Sequence, residues 1–278
     1  MSAVDGHARG AYGFRLPDVA ARELLVEAPA HWPRLDLEVR VTLDEGPSTE
    51  HVDDAIAILR PRSGGWIELD RHAGRAVFCL SHRPTDSALV HPHLSSVAVV
   101  SAYWMGRESF HAGGFVVDGR VWGVLGDREA GKSSFLALLA LSGIPVLCDD
   151  VLVIDGTTAF AGPRSVDLRA SAASHLGVGE PLGVVGTRER WRLTLPPVDA
   201  EAPLAGWVSL AWSEEPDVRR PRGAERLQAL GAHRGSTLYP SSPAELIELS
   251  SLPFVQLCRP RRWDRAGESM RLLLDALG

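Results

Sequence analysis

One stretch of the sequence, residues 121–141, constrains the fold more than any other. Residues 121–125 form a short apolar run that suits a buried strand, and the eight residues that follow Leu125 read Gly-Asp-Arg-Glu-Ala-Gly-Lys-Ser. Apolar side chains then recur at the spacing of a helix face until Gly143, which is expected to end the helix. This order of strand, glycine loop and helix predicts an α/β fold in which the first N–H groups of the helix face the loop.

The glycine loop fits the P-loop pattern, which has two glycines separated by four residues and followed by Lys and Ser. In that pattern backbone N–H groups surround phosphate oxygens, the lysine neutralises their charge and the hydroxyl holds magnesium. The pattern therefore predicts nucleotide binding, and the alternative is a glycine turn that only joins strand to helix. The predicted nucleotide-binding residues are Gly126, Asp127, Arg128, Glu129, Ala130, Gly131, Lys132, Ser133 and Ser134.

An acidic pair, Asp149 and Asp150, follows the apolar run 144–148. If this run is a strand next to the strand at 121–125, the pair emerges at the carboxyl edge of the sheet, where open α/β sheets bind ligands. Two adjacent carboxylates repel each other and are stable mainly when a positive charge lies between them, and magnesium and Lys132 are the candidates. The alternative is an Asp pair that caps a helix or forms a turn.

Four segments together resemble a known family. They are Phe-His-Ala-Gly-Gly around His111, Val-Val-Asp-Gly-Arg, the glycine loop, and Cys-Asp-Asp-Val-Leu-Val around the acidic pair. Their order and spacing resemble the catalytic core of bacterial HPr kinase/phosphorylase and its relatives, which include kinase-like proteins of natural-product clusters such as the lasso peptide kinases. The resemblance covers residues 109–155 well and the rest of the chain weakly. It implies a P-loop kinase core with a mixed sheet of the HPr kinase/PEP carboxykinase type.

The resemblance also implies roles for individual residues. Lys132 and Ser133 would bind the β- and γ-phosphates and the metal, and Asp149 would accept the proton of the attacking hydroxyl. Asp150 would hold the metal with Ser133, and His111 would lie beside the phosphoryl group or the acidic pair. The chain departs from the family where Arg128 and Glu129 replace the usual Ser and Gly, and it lacks the glycine-rich C-terminal signature, which speaks against HPr as substrate.

The activity that the resemblance implies is transfer of the γ-phosphoryl group of ATP, with Mg²⁺, to a hydroxyl group. A Ser or Thr of a peptide or small protein is the first choice of acceptor, a small metabolite is the second, and a nucleotide-binding regulator without phosphotransfer is the third hypothesis. Many kinases place an arginine against the charge of the transferred group. We assign Arg169 to the site, although a surface salt bridge is the alternative for each eligible arginine: Arg164, Arg169, Arg188, Arg190 and Arg192.

Composition excludes several classes of function. The chain of 278 residues carries 29 Lys and Arg against 35 Asp and Glu, a net charge of −6, which argues against nucleic acid as a partner. The three cysteines are far apart and odd in number, so buried free thiols in a reducing cytoplasm are expected rather than disulfides or a metal site. Residues 1–7 contain no signal core, and no apolar run has membrane-spanning length, so no membrane association is expected.

Residues 1–107 are interpreted as a β-rich accessory region and residues 108–278 as the catalytic domain. Strands are predicted within 35–43, 55–59 and 65–80, and a helix over 94–107. The accessory region could hold a peptide strand, mediate self-association into a homo-oligomer, or simply add a packing layer, which is the preferred interpretation. His91 and His93 invite a metal-site interpretation, but surface or turn histidines are favoured because no third ligand has suitable spacing.

The rest of the chain shows hairpin and helix signals. Asp118-Gly119 and Asp155-Gly156 predict two tight hairpins and hence a mixed sheet. The glycine-rich segment 177–186 predicts a mobile loop that either closes on substrate or is a surface connection, and the charged segment 214–223 predicts an exposed loop. Further strands are predicted at 191–195, 204–212 and 254–258, and helices at 224–230, 243–249 and 266–277.

Overall fold

Short strands dominate the N-terminal part of the chain in the computed structural model, which describes residues 8–61, 64–185 and 188–278. The prediction for residues 1–7 lies outside the described residues. A three-stranded sheet, in the order β2-β1-β3, contains Arg9–Ala11 (β1), Phe14–Arg15 (β2) and Val26–Glu27 (β3). A five-stranded sheet, in the order β4-β8-β7-β6-β5, contains Asp36–Val41 (β4), His51–Val52 (β5), Ile56–Leu59 (β6), Trp66–Asp70 (β7) and Arg75–Leu80 (β8). The strands predicted from residues 35–80 are therefore confirmed.

A helical segment leads from these sheets into the centre of the molecule. It contains Asp86–Ala88 (α1), the segment Leu89–His93, which is kinked at His91 where the backbone is extended, and Leu94–Trp104 (α2). Most of α2 is buried because its side chains are small or apolar on nearly every side. The helix predicted over 94–107 is confirmed and ends three residues earlier.

The remaining strands form a large sheet and a small one. The strands are Glu108–Phe110 (β9), Gly113–Val117 (β10), Arg120–Leu125 (β11), Val146–Cys148 (β12), Leu152–Asp155 (β13), Thr158–Phe160 (β14), Ser165–Leu168 (β15), Glu180–Val185 (β16), Arg188–Thr194 (β17), Glu201–Trp212 (β18), Asp217–Arg219 (β19) and Phe254–Arg259 (β20). The large sheet runs β12-β10-β11-β18-β14-β13-β9, and β20 pairs with β18 and β19. Among the described strands of this large sheet, β11 with β18 and β18 with β20 run parallel and the other pairs antiparallel, so the predicted mixed sheet is confirmed.

Two tight turns build the hairpins of this sheet. Asp118 and Gly119 both have positive φ, 50° and 71°, and join β10 to β11 as predicted. In the second hairpin Asp155 pairs with Thr158, so the turn residues are Gly156 and the residue after it. The second hairpin is confirmed with its turn one residue later than predicted.

The strand before the acidic pair does not lie beside β11, and this part of the prediction is wrong. The tight turn makes β10 the neighbour of β11, so β12 pairs with the other side of β10. Because both pairings are antiparallel, β12 runs parallel to β11. The carboxyl ends of β11 and β12 therefore lie at the same edge of the sheet, as the ligand-site argument requires.

Two predicted loops contain strands instead. Residues 180–185 of the predicted mobile loop form β16, which pairs with β17 in the order β15-β17-β16. Backbone pairing holds this segment despite its glycines, and the pairing register shifts between Pro181 and Gly183. Gly186 lies outside the described residues. Asp217–Arg219 of the predicted exposed loop pairs with β20 as a short edge strand.

Five further α-helices follow in the described residues: Lys132–Leu141 (α3), Ala170–Leu176 (α4), Gly223–Ala232 (α5), Pro243–Ser251 (α6) and Ala266–Leu277 (α7). Two short 3-10 helices span Arg22–Leu24 and Trp263–Arg265. The two faces of the large sheet pack into separate cores, because alternate side chains of a strand point to opposite faces. Val121 and Leu125 pack with α2 and the N-terminal strands, whereas Trp122 and Val124 pack with α3 and α7. The first core contains residues from both sides of position 107. The division into an accessory region and a catalytic domain stays a prediction.

The cysteines agree with the sequence interpretation. Cys79, Cys148 and Cys258 are buried and free, and burial raises the pKa of each thiol. Within residues 8–61, 64–185 and 188–278, none of the helices has the length and hydrophobicity that crossing a membrane requires.

Candidate active site

The glycine loop, residues 126–133, connects β11 to α3 and depends on two left-handed residues. Glu129 has φ 72° and Gly131 has φ 78°. A Cβ atom on Gly131 would lie 2.8 Å from the guanidinium of Arg259, so only glycine fits without displacing that side chain. Arg259 donates a hydrogen bond to the Ala130 carbonyl at 2.6 Å, and its guanidinium lies 4.4 Å from the ring centroid of Trp212. Arg259, the last residue of β20, therefore helps to hold the loop in its conformation.

Lys132 begins α3 and is nearly inaccessible, with 8% of its surface exposed. Its Nζ donates a hydrogen bond to the Gly126 carbonyl at 2.6 Å, and this bond holds the ammonium against the first residue of the loop. Burial lowers the pKa of Lys132, while the nearby Asp149, Asp150 and Asp127 act to raise it. The ammonium is thus bound to the loop and is close enough to the acidic pair to feel its charge.

Asp149 contacts the start of α3 directly. The Ser133 hydroxyl donates to Asp149 Oδ1 at 3.1 Å, and Asp149 is only 4% exposed. Burial and the neighbouring charge of Asp150 raise the pKa of Asp149 to about 6, and His91 and the Ser133 hydrogen bond oppose that rise. The loop and the acidic pair, predicted from separate motifs, are therefore in contact.

Asp150 is held by His111 and is more accessible than its neighbour. His111 Nδ1 lies 3.2 Å from Asp150 Oδ1, and the side chains are 50% and 38% exposed. Partial burial acts to raise the pKa of Asp150, but the hydrogen bond from His111 and the charges of His111, His91 and Lys132 bring it down to about 2. Asp150 also has φ 71°, an unusual backbone conformation for a residue other than glycine and one that is common at functional sites.

The carboxylate of Glu129 is paired with two arginines. Its Oε1 accepts a hydrogen bond from Arg169 at 3.0 Å and lies 3.6 Å from Arg188. The hydrogen bond from Arg169 lowers the pKa of Glu129. Arg169, which the sequence assigned to the site, therefore reaches the glycine loop through Glu129.

Two of the five eligible arginines are buried, so the surface salt-bridge alternative is wrong for them. Arg164 is 2% exposed and donates to the carbonyls of Val146, Leu147 and Pro196, which makes it a structural residue. Arg192 is 6% exposed and donates two hydrogen bonds, both at 2.8 Å, to the carboxylate of Asp167.

His91 is also buried, which corrects the prediction of a surface or turn histidine. It is 5% exposed, and its Nε2 lies 3.5 Å from Asp167 Oδ2. Arg192 fixes the same segment by donating to the carbonyls of His91 at 2.8 Å and Ser87 at 3.0 Å. No group of three or more His, Cys, Asp or Glu side chains arranged to hold a metal occurs in the described part of the chain.

One cavity of about 1530 Å³ is lined by the acidic pair, His91, His111, Arg169, Arg188 and most of the glycine loop, but not by Arg164 or Arg192. Its walls come from the glycine loop, the acidic pair, the segment 80–96 and strands β16 and β17. Among the predicted nucleotide-binding residues, Asp127, Arg128 and Ser134 also line it, and His233 Nε2 lies 3.6 Å from Asp127. The sequence interpretation missed Arg259, Trp212, Asp167 and His233, because their places depend on which strands meet at this edge.

The chain matches no family model and no curated protein. Among solved structures it has a likeness to the HPr(Ser) kinase/phosphatase from Coxiella burnetii, with 13% identity over 61% of this chain and 95% of that chain and a TM-score of 0.34. A likeness this low does not assign a function. The function proposed below therefore depends on the chain's own residues.

Proposed function

We propose that the protein transfers the γ-phosphoryl group of ATP to a hydroxyl group in the presence of Mg²⁺. The observation that carries this proposal is the 3.1 Å contact between Ser133, at the start of α3, and Asp149, at the end of β12. This contact places a residue of the phosphate-binding pattern next to a carboxylate in the same cavity. Phosphoryl transfer requires chiefly positioning and charge stabilisation, so a small set of residues is sufficient.

The nucleotide would bind through residues 126–134. The N-terminal N–H groups of α3 attract anions, and a phosphate would replace the Gly126 carbonyl as partner of the Lys132 ammonium. Because Glu129 contacts Arg169 and Arg188, two positive charges compensate its negative charge. This arrangement supports ATP binding despite the acidic residue in the loop.

The residues present also fit Mg²⁺. Magnesium is usually held by one or two protein oxygens together with phosphate oxygens and water, rather than by a complete protein cage. Ser133 and Asp150 would supply the protein ligands, because both have side-chain oxygens and line the same cavity. When bound, the ion supplies positive charge that stabilises the negative oxygens of the transferred group.

The proposed transfer moves one phosphoryl group and one proton. The acceptor oxygen forms a bond to the γ-phosphorus while the bond to the bridging β-oxygen breaks, and ADP leaves with that electron pair. The acceptor proton passes to Asp149, which lies within the cavity. Lys132 and Arg169 would oppose the negative charge of the transferred group, once Arg169 exchanges Glu129 for phosphate.

The contact between Ser133 and Asp149 also favours a second division of roles. These two residues could share the metal, and the accessible Asp150 with His111 would then face the acceptor. For the acceptor itself, a Ser or Thr of a peptide or small protein is proposed first and a small metabolite second. The cavity exceeds the volume of about 300–1,000 Å³ that a single small-molecule site usually has. It therefore has room for ATP and for a phosphoryl acceptor at the same time.

The test compares the two carboxylates. The wild type, Asp149→Asn and Asp150→Asn are incubated with Mg²⁺, ATP and a panel of hydroxyl-bearing peptides and metabolites, and phosphate transfer is followed by mass. Asp149→Asn should bind ATP normally and transfer at least ~100-fold more slowly, the usual scale for loss of a general base. Asp150→Asn should require much more Mg²⁺. The matched control is Asp118→Asn, in an exposed turn that tolerates Asn.

Each outcome assigns a role. Full activity of Asp149→Asn together with slow transfer by Asp150→Asn would reverse the two roles. A wild type that binds ATP but phosphorylates nothing in the panel, and does not hydrolyse ATP, would favour the nucleotide-binding regulator.

A further inference from the structure

Strand β17 carries a row of three arginines, two of which line the cavity. Arg188, Arg190 and Arg192 alternate along the strand, so they lie on one face. Trp191 and Leu193 lie on the opposite face, where they pack against the core formed with α3 and α7. The alternation therefore separates a packing face from a cationic face, and Arg188 and Arg190 of the cationic face line the cavity.

The two ends of this row already have acidic partners. Arg188 lies 3.6 Å from Glu129 of the glycine loop, and Arg192 is paired with Asp167. Arg190, between them, lines the cavity and has no carboxylate partner among the described residues. A partly exposed arginine without a partner, between two arginines that have one, is available to bind an anion.

A second arginine that lines the cavity lies in the segment 80–96. Arg83 lines the same cavity, is exposed, and has no ion pair in the described part of the chain. It precedes by four residues Ser87, whose carbonyl accepts the 3.0 Å hydrogen bond from Arg192. This bond ties the segment that carries Arg83 to the strand that carries Arg190.

The charge of the cavity supports an anionic ligand beyond the nucleotide. Nine Arg and Lys but only five Asp and Glu line the cavity, whereas acidic residues outnumber basic ones, 35 to 29, in the whole chain. The phosphates of the nucleotide would occupy Lys132 and the start of α3. The positive charge of Arg190 and Arg83 lies outside that loop, where the second substrate has room.

We propose that Arg190 and Arg83 form an anion subsite that binds a carboxylate or phosphate group of the phosphoryl acceptor. The acceptor would then be an acidic hydroxyl compound, such as a peptide with an acidic residue close to its Ser or Thr. The planar guanidinium matches both anions by donating two parallel hydrogen bonds. The assignment of the anion to the acceptor depends on the proposed kinase function, whereas the anion binding itself does not.

The experiment measures anion binding directly. Protein saturated with Mg²⁺ and a non-hydrolysable ATP analogue is titrated by calorimetry with inorganic phosphate in one arm and with succinate in the other. Arg190→Gln and Arg83→Gln should each weaken anion binding about 10-fold, the scale of one charge-assisted hydrogen-bond partner. Binding of the analogue should change less than about threefold in both variants. The control is Arg220→Gln, an exposed arginine outside the cavity.

Several results would overturn the proposal. Unchanged anion binding in Arg190→Gln, or no binding of either anion to the wild type, removes the subsite. Weaker analogue binding with unchanged anion binding would assign Arg190 to the nucleotide. If the wild type does not bind the analogue, the phosphate titration is made on Lys132→Met, which removes the loop lysine. A dependence on Arg190 there would retain the subsite while the kinase proposal fails.

Discussion

Two arginine–carboxylate clusters lie at the two ends of β17 and differ in their exposure to water. At one end Glu129, Arg169 and Arg188 have side chains that are 51%, 44% and 34% exposed. At the other end the side chains of Asp167 and Arg192 are only 8% and 6% exposed. Two arginines of one short strand therefore pair with carboxylates in different environments, Arg188 in an exposed cluster and Arg192 in a buried one.

The difference in burial gives the two clusters different properties. A buried pair has lost its hydration, so removal of one partner leaves a charge without compensation. An exposed pair is screened by water and ions, so its members can exchange partners with little loss of free energy. We expect the Asp167 cluster to fix the cavity wall around His91, and the Glu129 cluster to release its arginines when phosphate binds.

The largest expected effect is that of Asp167→Ala on folding. The substitution leaves the guanidinium of Arg192 buried without a carboxylate, and a broken buried pair typically costs about 3–5 kcal/mol of unfolding free energy. Urea-induced unfolding of the variant and the wild type measures the difference. The control is Asp217→Ala, which breaks the exposed contact of Asp217 with Arg219 and should leave the unfolding midpoint unchanged. Equal stability of Asp167→Ala and wild type would show that burial does not distinguish the clusters.

A smaller effect is expected from Glu129→Gln on nucleotide affinity. The substitution removes a negative charge from the loop and frees Arg169 and Arg188, so Mg·ATP should bind about 3–10-fold more tightly at low salt. Calorimetric titration gives the dissociation constant, and the unfolding midpoint should stay at the wild-type value. Glu189→Gln serves as control, because Glu189 is exposed on the other face of β17. Weaker ATP binding by Glu129→Gln would mean that Glu129 holds the loop in its binding conformation.

Features determined by neighbours in sequence could be predicted. The last helix, Ala266–Leu277, has the predicted bounds because an apolar stripe at helical spacing requires no distant partner. The Asp118-Gly119 turn fixed the pairing of β10 with β11 for the same reason. The spacing of glycine loop and acidic pair indicated a common site, and the structure brings Ser133 and Asp149 into contact. The catalytic roles of these residues stay predictions.

Features that depend on distant partners could not be predicted. Strand β12 pairs with one edge of β10 because the hairpin has already placed β11 at the other edge. The burial of His91 follows from Arg192, which lies 101 residues later in the chain. Arg259 supports the loop only because β20 pairs with β18 beside β11. One usable signal was present in the sequence: alternating arginines at 188, 190 and 192 predict a cationic face if the segment is a strand.

Calorimetric titration of Mg·ATP into the wild type and Lys132→Met tests the phosphate site directly, with thermal unfolding to verify that both proteins are folded. We expect the wild type to bind at a single site and the variant to lose at least ~100-fold in affinity, because a charged hydrogen-bond partner of the phosphates is gone. Equal affinity in the two proteins would contradict the claim that the glycine loop holds the triphosphate beside Asp149 and Asp150.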